Sequence, residues 1–215
     1  HGDRFFYISS QNNRVTSLST SGHNKNNLFS LMPLEYWESL YKDKLGTRWD
    51  EAFSDMMESC HKVGAFNPEI IRGVGYWEDR GRLLINTGAG VFLGGQMQLA
   101  SELDTRFIYQ SGPKVSTPHT QPLSLSECSD LIDAVSHLSW KKEESVPLLS
   151  GFLAIARFCG ALQWRPHLWI TGSFGTGKST IMEQLIRPIL GDFSLYFLGN
   201  TTEAGIRQSV GYDAR

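Results

Sequence analysis

The run Gly172-Ser173-Phe174-Gly175-Thr176-Gly177-Lys178-Ser179 decides how this chain is read. It satisfies G-x-x-x-x-G-K-[ST], follows the β-favouring His167-Leu168-Trp169-Ile170-Thr171, and opens helix-forming sequence that extends from Lys178 to Leu190. Glycines let backbone N–H groups curl around an anion, and the start of a helix adds unpaired donors and the positive end of its dipole. Phosphate suits that surface. Lys178 would place its ammonium on the β and γ phosphates and is the candidate catalytic group. The Ser179 hydroxyl would ligate a Mg²⁺ that keeps most of its waters, and Thr180 would fall beside the α-phosphate. The expected nucleotide-binding set is thus Gly172, Ser173, Phe174, Gly175, Thr176, Gly177, Lys178, Ser179 and Thr180. Ordinary residue frequencies produce such a match in roughly one chain per hundred of this length, so the flanking strand and helix patterns carry part of the argument. The pattern marks a site and leaves the reaction open.

Working outward, residues 193–198 read as a second strand and 202–210 as a second helix, and this alternation predicts a parallel sheet with right-handed crossovers. Upstream, Ser124 and Glu127 form a capping box before the apolar stripe Cys128, Leu131, Ile132, Val135 and Leu138. A further helix starts at Pro147 and is apolar on nearly all sides, which predicts burial all round. Residues 111–122 hold three prolines and no periodicity, as a linker would.

Before that stretch, 5–9 and 15–19 form a β-hairpin pattern around Asn12-Asn13. Thr47 and Asp50 resemble a capping pair ahead of Trp49, Phe53, Met56, Met57 and Cys60 at helical spacing. Residues 75–95 read as a meander broken at Asp79-Arg80-Gly81 and Thr87-Gly88-Ala89-Gly90. The expected organisation is an α+β domain over 1–110, a linker at 111–122, a helical lead-in over 123–163, and the first part of an α/β P-loop NTPase domain over 164–215.

Composition narrows the classes. The 215 residues carry 20 Lys plus Arg against 22 Asp plus Glu, a net charge of −2, so the whole chain lacks the basic footprint of a nucleic-acid binder and any such contact must be local. Cys60, Cys128 and Cys159 lack the paired spacing of a zinc site or disulfide framework and read as reduced thiols. Neither a run of about 18 apolar residues nor a signal-peptide pattern is present, which predicts a soluble cytoplasmic protein with no membrane partner. The chain begins at His1 and has 37 residues after Lys178, and it is expected to be a piece of a longer polypeptide.

Hydrolysis needs a carboxylate at the end of a neighbouring strand to hold the metal or polarise water. After Lys178 no apolar run of four ends in Asp or Glu. Asp192 and Asp213 are the nearest candidates and read as turn residues, so the chain is expected to bind nucleotide with the hydrolytic apparatus incomplete.

The segments Trp164-Arg165-Pro166-His167-Leu168-Trp169-Ile170-Thr171-Gly172, Ile186-Arg187-Pro188-Ile189-Leu190-Gly191 and Gly199-Asn200-Thr201-Thr202-Glu203-Ala204-Gly205-Ile206-Arg207-Gln208 resemble the ATPase region of phage and prophage primase-helicase-type proteins, related to superfamily 3 and AAA+ motors. Upstream, 22–28, 33–38 and 71–77 resemble the region before the motor in the same proteins. The resemblance implies ATP and Mg as cofactors, single-stranded DNA as partner, a homo-oligomeric ring with an arginine supplied in trans, and a Walker B strand after Arg215. It also implies a bacterial host cytoplasm. Phe174 departs from the small residue expected inside such a loop. Two other readings stand beside this one: a P-loop kinase acting on a small substrate, and a nucleotide-regulated interaction module.

Weaker signals have plainer alternatives. Arg207 and Gln208 are candidate nucleic-acid or subunit contacts, or simply an exposed helix face. The cluster from His23 to Asn27 is a candidate phosphate contact or a turn and helix cap. Trp37, Trp49, Trp77, Tyr36 and Tyr76, with Arg72, Arg80 and Arg82 nearby, could stack bases or build a core.

Overall fold

The structure, a computed structural model, describes residues 3–9, 13–117 and 121–215. It is mixed α/β, with several small sheets, and divides into two compact units, 1–70 and 71–215. The division falls well before the expected linker at 111–122, of which 118–120 lie outside the described residues.

In the first unit, β1 (Arg4–Ile8) and β2 (Val15–Ser19) pair antiparallel with Phe6 opposite Ser17, as the hairpin pattern predicts, although Asn12 lies outside the described residues. The short α1 (Lys25–Phe29) starts where the Asn24 side chain accepts the N–H of Asn27, so the polar cluster acts as a cap. Helices α2 (Leu34–Tyr41) and α3 (Trp49–Val63) are joined by the two-residue strands β3 (Lys42–Asp43) and β4 (Gly46–Thr47). Thr47 is spent opposite Lys42 in that ladder, so α3 starts without the expected side-chain cap. Leu18, Leu28, Trp37 and Ala52 form the core. The Trp37 indole N–H is satisfied there by the carbonyls of Leu28 and Met32.

The second unit opens with β5 (Ile71–Arg72), which pairs parallel with β10 (Ile108–Tyr109). Between them runs a four-stranded antiparallel meander in the order β6 (Gly75–Asp79), β7 (Arg82–Asn86), β8 (Val91–Leu93) and β9 (Gln96–Gln98), one strand more than the sequence pattern suggests. Arg80 and Gly81 both have positive φ, 54° and 76°, which gives the β6–β7 turn the twist a two-residue hairpin needs. Tyr76 and Trp77 are buried core residues, and so is Trp37 of the first unit, so these three rings are closed to base stacking. The last residues of the chain lie against the start of the meander. Ala214 donates to the carbonyl of Val74 at 2.8 Å, and Val74 donates to Asp213 Oδ1 at 2.7 Å.

The stretch read as a linker is packed: Val115 is buried with Val74, Tyr76, Ile85 and Phe193, and its N–H donates to the carbonyl of Thr87. Beyond it come α4 (Leu125–Ser136), with the capping box of Ser124 and Glu127 formed, and α5 (Ser145–Ile155). A helical run follows: α6 (Lys178–Thr180), a π-wound stretch over Ile181–Ile186, and α7 (Arg187–Leu190). The wide turn has a local cause. Pro188 has no N–H to give Gln184 and its ring crowds that carbonyl, while Arg187 donates to Met182, five residues back. The final helix, α8 (Glu203–Val210), starts at the Thr202 side chain, which accepts from Gly205.

Val135, Leu149 and Leu153 from α4 and α5 pack with Ile181, Ile186 and Leu190, so the lead-in helices carry the helix that follows the glycine loop. Each such aliphatic side chain contributes about 1.5–3 kcal/mol of transfer free energy when fully buried. Here α5 departs from expectation. It buries one face, and Leu148 on the other side is 66% exposed.

A second difference concerns the parallel sheet. Residues 168–171 and 194–198 are neither helix nor strand, and among the described residues neither joins a ladder. Strand character needs a neighbour to take its hydrogen bonds. Here both segments line one cavity of about 450 Å³, through Leu168 and Ile170 on the first and Leu195 and Tyr196 on the second, instead of exchanging backbone bonds. Among the described residues no helix is long and apolar enough to cross a membrane.

Candidate nucleotide-binding site

The loop from Gly172 to Gly177 turns on two left-handed glycines, Gly175 at φ 78° and Gly177 at φ 84°, a conformation that costs any other residue. Gly172 is needed for space, since a Cβ there would meet the Thr176 hydroxyl at 2.7 Å. That hydroxyl donates to the Ser173 carbonyl at 2.9 Å and closes the turn. The Lys178 ammonium folds back over the same turn, 2.9 Å from the Gly172 carbonyl and 2.7 Å from that of Ser173.

Gly177 caps the helix and its carbonyl takes the N–H of Ile181. The N–H groups of Gly177 and Lys178 find no protein acceptor among the described residues. Two donors and an ammonium thus converge at one helix end, which is how a protein offers an anion a seat without a dedicated side-chain cluster.

The loop forms one wall of a cavity of about 790 Å³, within the range typical of small-molecule sites. The opposite wall is the α4–α5 connection, with Trp140, Lys141, Lys142 and Ser145. Trp140 is fixed there because its indole N–H donates to the carbonyl of Val135 at the end of α4. Among the described lining residues are three lysines, 141, 142 and 178, and no carboxylate. Sequence reading missed this second wall. Its signal was the adjacent pair Lys141-Lys142 between two helix patterns, and only packing of α4 and α5 onto the loop helix brings that pair to the cavity beside the loop.

Other sequence-derived residues fall elsewhere. Phe174 is 104% exposed and packs against nothing among the described residues. Arg207 is bonded to Glu203 one turn before it on α8, and neither Arg207 nor Gln208 lines the 450 Å³ or the 790 Å³ cavity. Asp192 accepts the N–H and hydroxyl of Ser116, which hold its carboxyl below the usual range. Asp213 is occupied by Val74 and by Arg215. Both acids are therefore engaged in holding the fold.

Ser179 is exposed at the mouth of the loop and lines the 450 Å³ cavity together with Lys178, so its hydroxyl is free to serve as one oxygen ligand of a water-rich Mg²⁺. No group of three or more His, Cys, Asp or Glu side chains suited to a metal occurs among the described residues. No protein-family model, curated protein or solved structure matches the chain.

Proposed function

We propose that the chain binds a nucleoside triphosphate, with ATP as the ligand implied by the resemblance, through the loop 172–180. The observation that carries this reading is the pairing of unbonded N–H groups at Gly177 and Lys178 with a cavity whose described walls hold three lysines and no acid. Lys178 meets the β and γ phosphates, Ser179 contributes its hydroxyl to Mg²⁺, and the glycine amides wrap the phosphate chain. Bound Mg²⁺ neutralises charge on the β and γ oxygens. The residues of this chain position the triphosphate; the described residues that line the 450 and 790 Å³ cavities include no carboxylate.

The wider assignment follows the resemblance: an ATP-dependent motor of the helicase type that acts on DNA as a ring-shaped oligomer. Titration of a fluorescent ATP analogue with Mg²⁺ tests the first step. Micromolar binding by the wild type is expected, with at least a tenfold loss in Lys178→Ala, equivalent to about 1.4 kcal/mol. Equal affinity in the two proteins would remove the loop from the site. Turnover stimulated by single-stranded DNA in an assembled oligomer tests the motor; a kinase or a binding switch would show no such stimulation.

A further inference from the structure

A third cavity, of about 650 Å³, lies at the far end of the loop helix; it shares Arg187, Leu195 and Tyr196 with the 450 Å³ cavity and adds Lys114 and Arg215 as cations and Glu183 and Asp192 as acids. The Arg187 guanidinium lies 4.8 Å from the centroid of the Tyr196 ring, and Tyr196 is 46% exposed. An arginine laid on one face of a solvent-reaching tyrosine is a platform on which a further flat group can stack.

The charged groups around it are individually placed. Arg215 pairs with Asp213 through Nη2 at 2.9 Å, while its Nε is buried with no acceptor in the structure. Asp192 gives one oxygen, Oδ2, to both the N–H and the hydroxyl of Ser116, which leaves Oδ1 as an acceptor. Cations alone would describe a phosphate site. The mixture of cations, a stacking ring and fixed carboxylates matches a nucleotide unit whose backbone is anionic and whose base edge carries N–H donors.

We propose that this cavity binds single-stranded nucleic acid, with phosphates on Lys114 and Arg187, a base stacked at Tyr196, and its amino edge directed to Asp192 or Glu183. Duplex is excluded by the chemistry, because a paired base offers neither its face nor its Watson–Crick edge. The inference extends the motor reading given above, but it does not need the glycine loop to bind triphosphate.

The test is fluorescence anisotropy of a labelled twelve-residue oligo(dC) at several salt concentrations, with the full chain. Arg187→Ala and Lys114→Ala should each weaken binding and each lower the slope of log K against log salt by about 0.7, the value for one single-strand phosphate contact. Tyr196→Leu should weaken binding roughly fivefold or more and leave that slope unchanged, as expected for a lost stack. Lys62→Ala, an exposed change in the first unit, should do neither.

Retention of oligonucleotide binding by Lys178→Ala, together with loss of ATP binding in the same variant, would support two separate sites. Absence of binding at micromolar concentration would overturn the proposal. So would tighter binding of duplex, or a loss confined to Arg207→Ala and Gln208→Ala. Displacement of the oligonucleotide by ATP in the wild type, abolished in Lys178→Ala, would place the oligonucleotide in the glycine loop and would equally overturn it.

Discussion

The ammonium of Lys178 sits 2.7 Å from the carbonyl oxygen of Ser173, five positions earlier in the chain. The ammonium is held by loop carbonyls at the edge of the cavity, and it contributes little to packing. Lys178→Ala should therefore melt within about 2 °C of the wild type, since surface changes stay near 0.5 kcal/mol and each kcal/mol shifts a domain of this size by about 2–4 °C. ATP at a hundredfold excess over its Kd should stabilise the wild type by about 2.7 kcal/mol and the variant hardly at all. A nucleotide-dependent rise of equal size in both proteins, followed by scanning calorimetry, would contradict the arrangement.

Gly177 occupies the left-handed region, and a methyl group on its Cα would meet nothing within 4 Å, so an alanine there suffers from its backbone and not from a clash. Gly177→Ala should lose about 1 kcal/mol or more in urea unfolding and should bind nucleotide more weakly. Gly199, which also faces open space and has no positive φ, is the matching control. Its alanine variant should change neither quantity measurably.

The two sides of α5 should respond differently to truncation. Leu153 is packed with Val135, Ile181 and Leu190, and Leu153→Ala should cost about 2–5 kcal/mol. Leu148 stands in solvent, and Leu148→Ala should stay within about 0.5 kcal/mol. Equal losses would mean that the outer side of α5 is covered in solution.

Asp192 supplies a pH dependence of known sign. The N–H and hydroxyl of Ser116 lower its folded value below the ordinary aspartate range near pH 3.9. A depressed carboxyl stabilises the fold above that range and loses its contribution as the pH falls through the folded value. Carbonyl-detected NMR titration should place the Asp192 midpoint below the ordinary aspartate value, and Ser116→Ala should return it toward that value. A midpoint unmoved by that substitution would show that Ser116 is not the cause.

Local grammar is readable in the sequence alone. The capping box at Ser124 and Glu127, the Asn24 cap, the β1–β2 hairpin and the glycine loop depend on residues within a few positions of one another, where side-chain chemistry dictates backbone geometry. What escapes such reading depends on distant partners. Val115 reads as linker because proline-rich sequence describes conformation and not what it packs on. The contact between Val74 and Asp213 spans 139 positions and leaves no periodic trace. Residues 168–171 and 194–198 have strand composition, but composition does not supply the neighbour that makes a ladder. The loop itself is legible; the lysine wall facing it is not, because Lys141 and Lys142 acquire meaning only once two helices have docked.

The proline at 188 also sets a direction. Nine residues separate Lys178 from Arg187, and at about 100° per residue an unbroken α-helix would aim them to opposite sides. Six residues wound at about 80° each remove roughly 120° from that angle and leave the two within a quarter of a revolution. This is why one 450 Å³ cavity has both cations on its lining. A residue that touches neither charge thus decides the azimuth at which the second is presented.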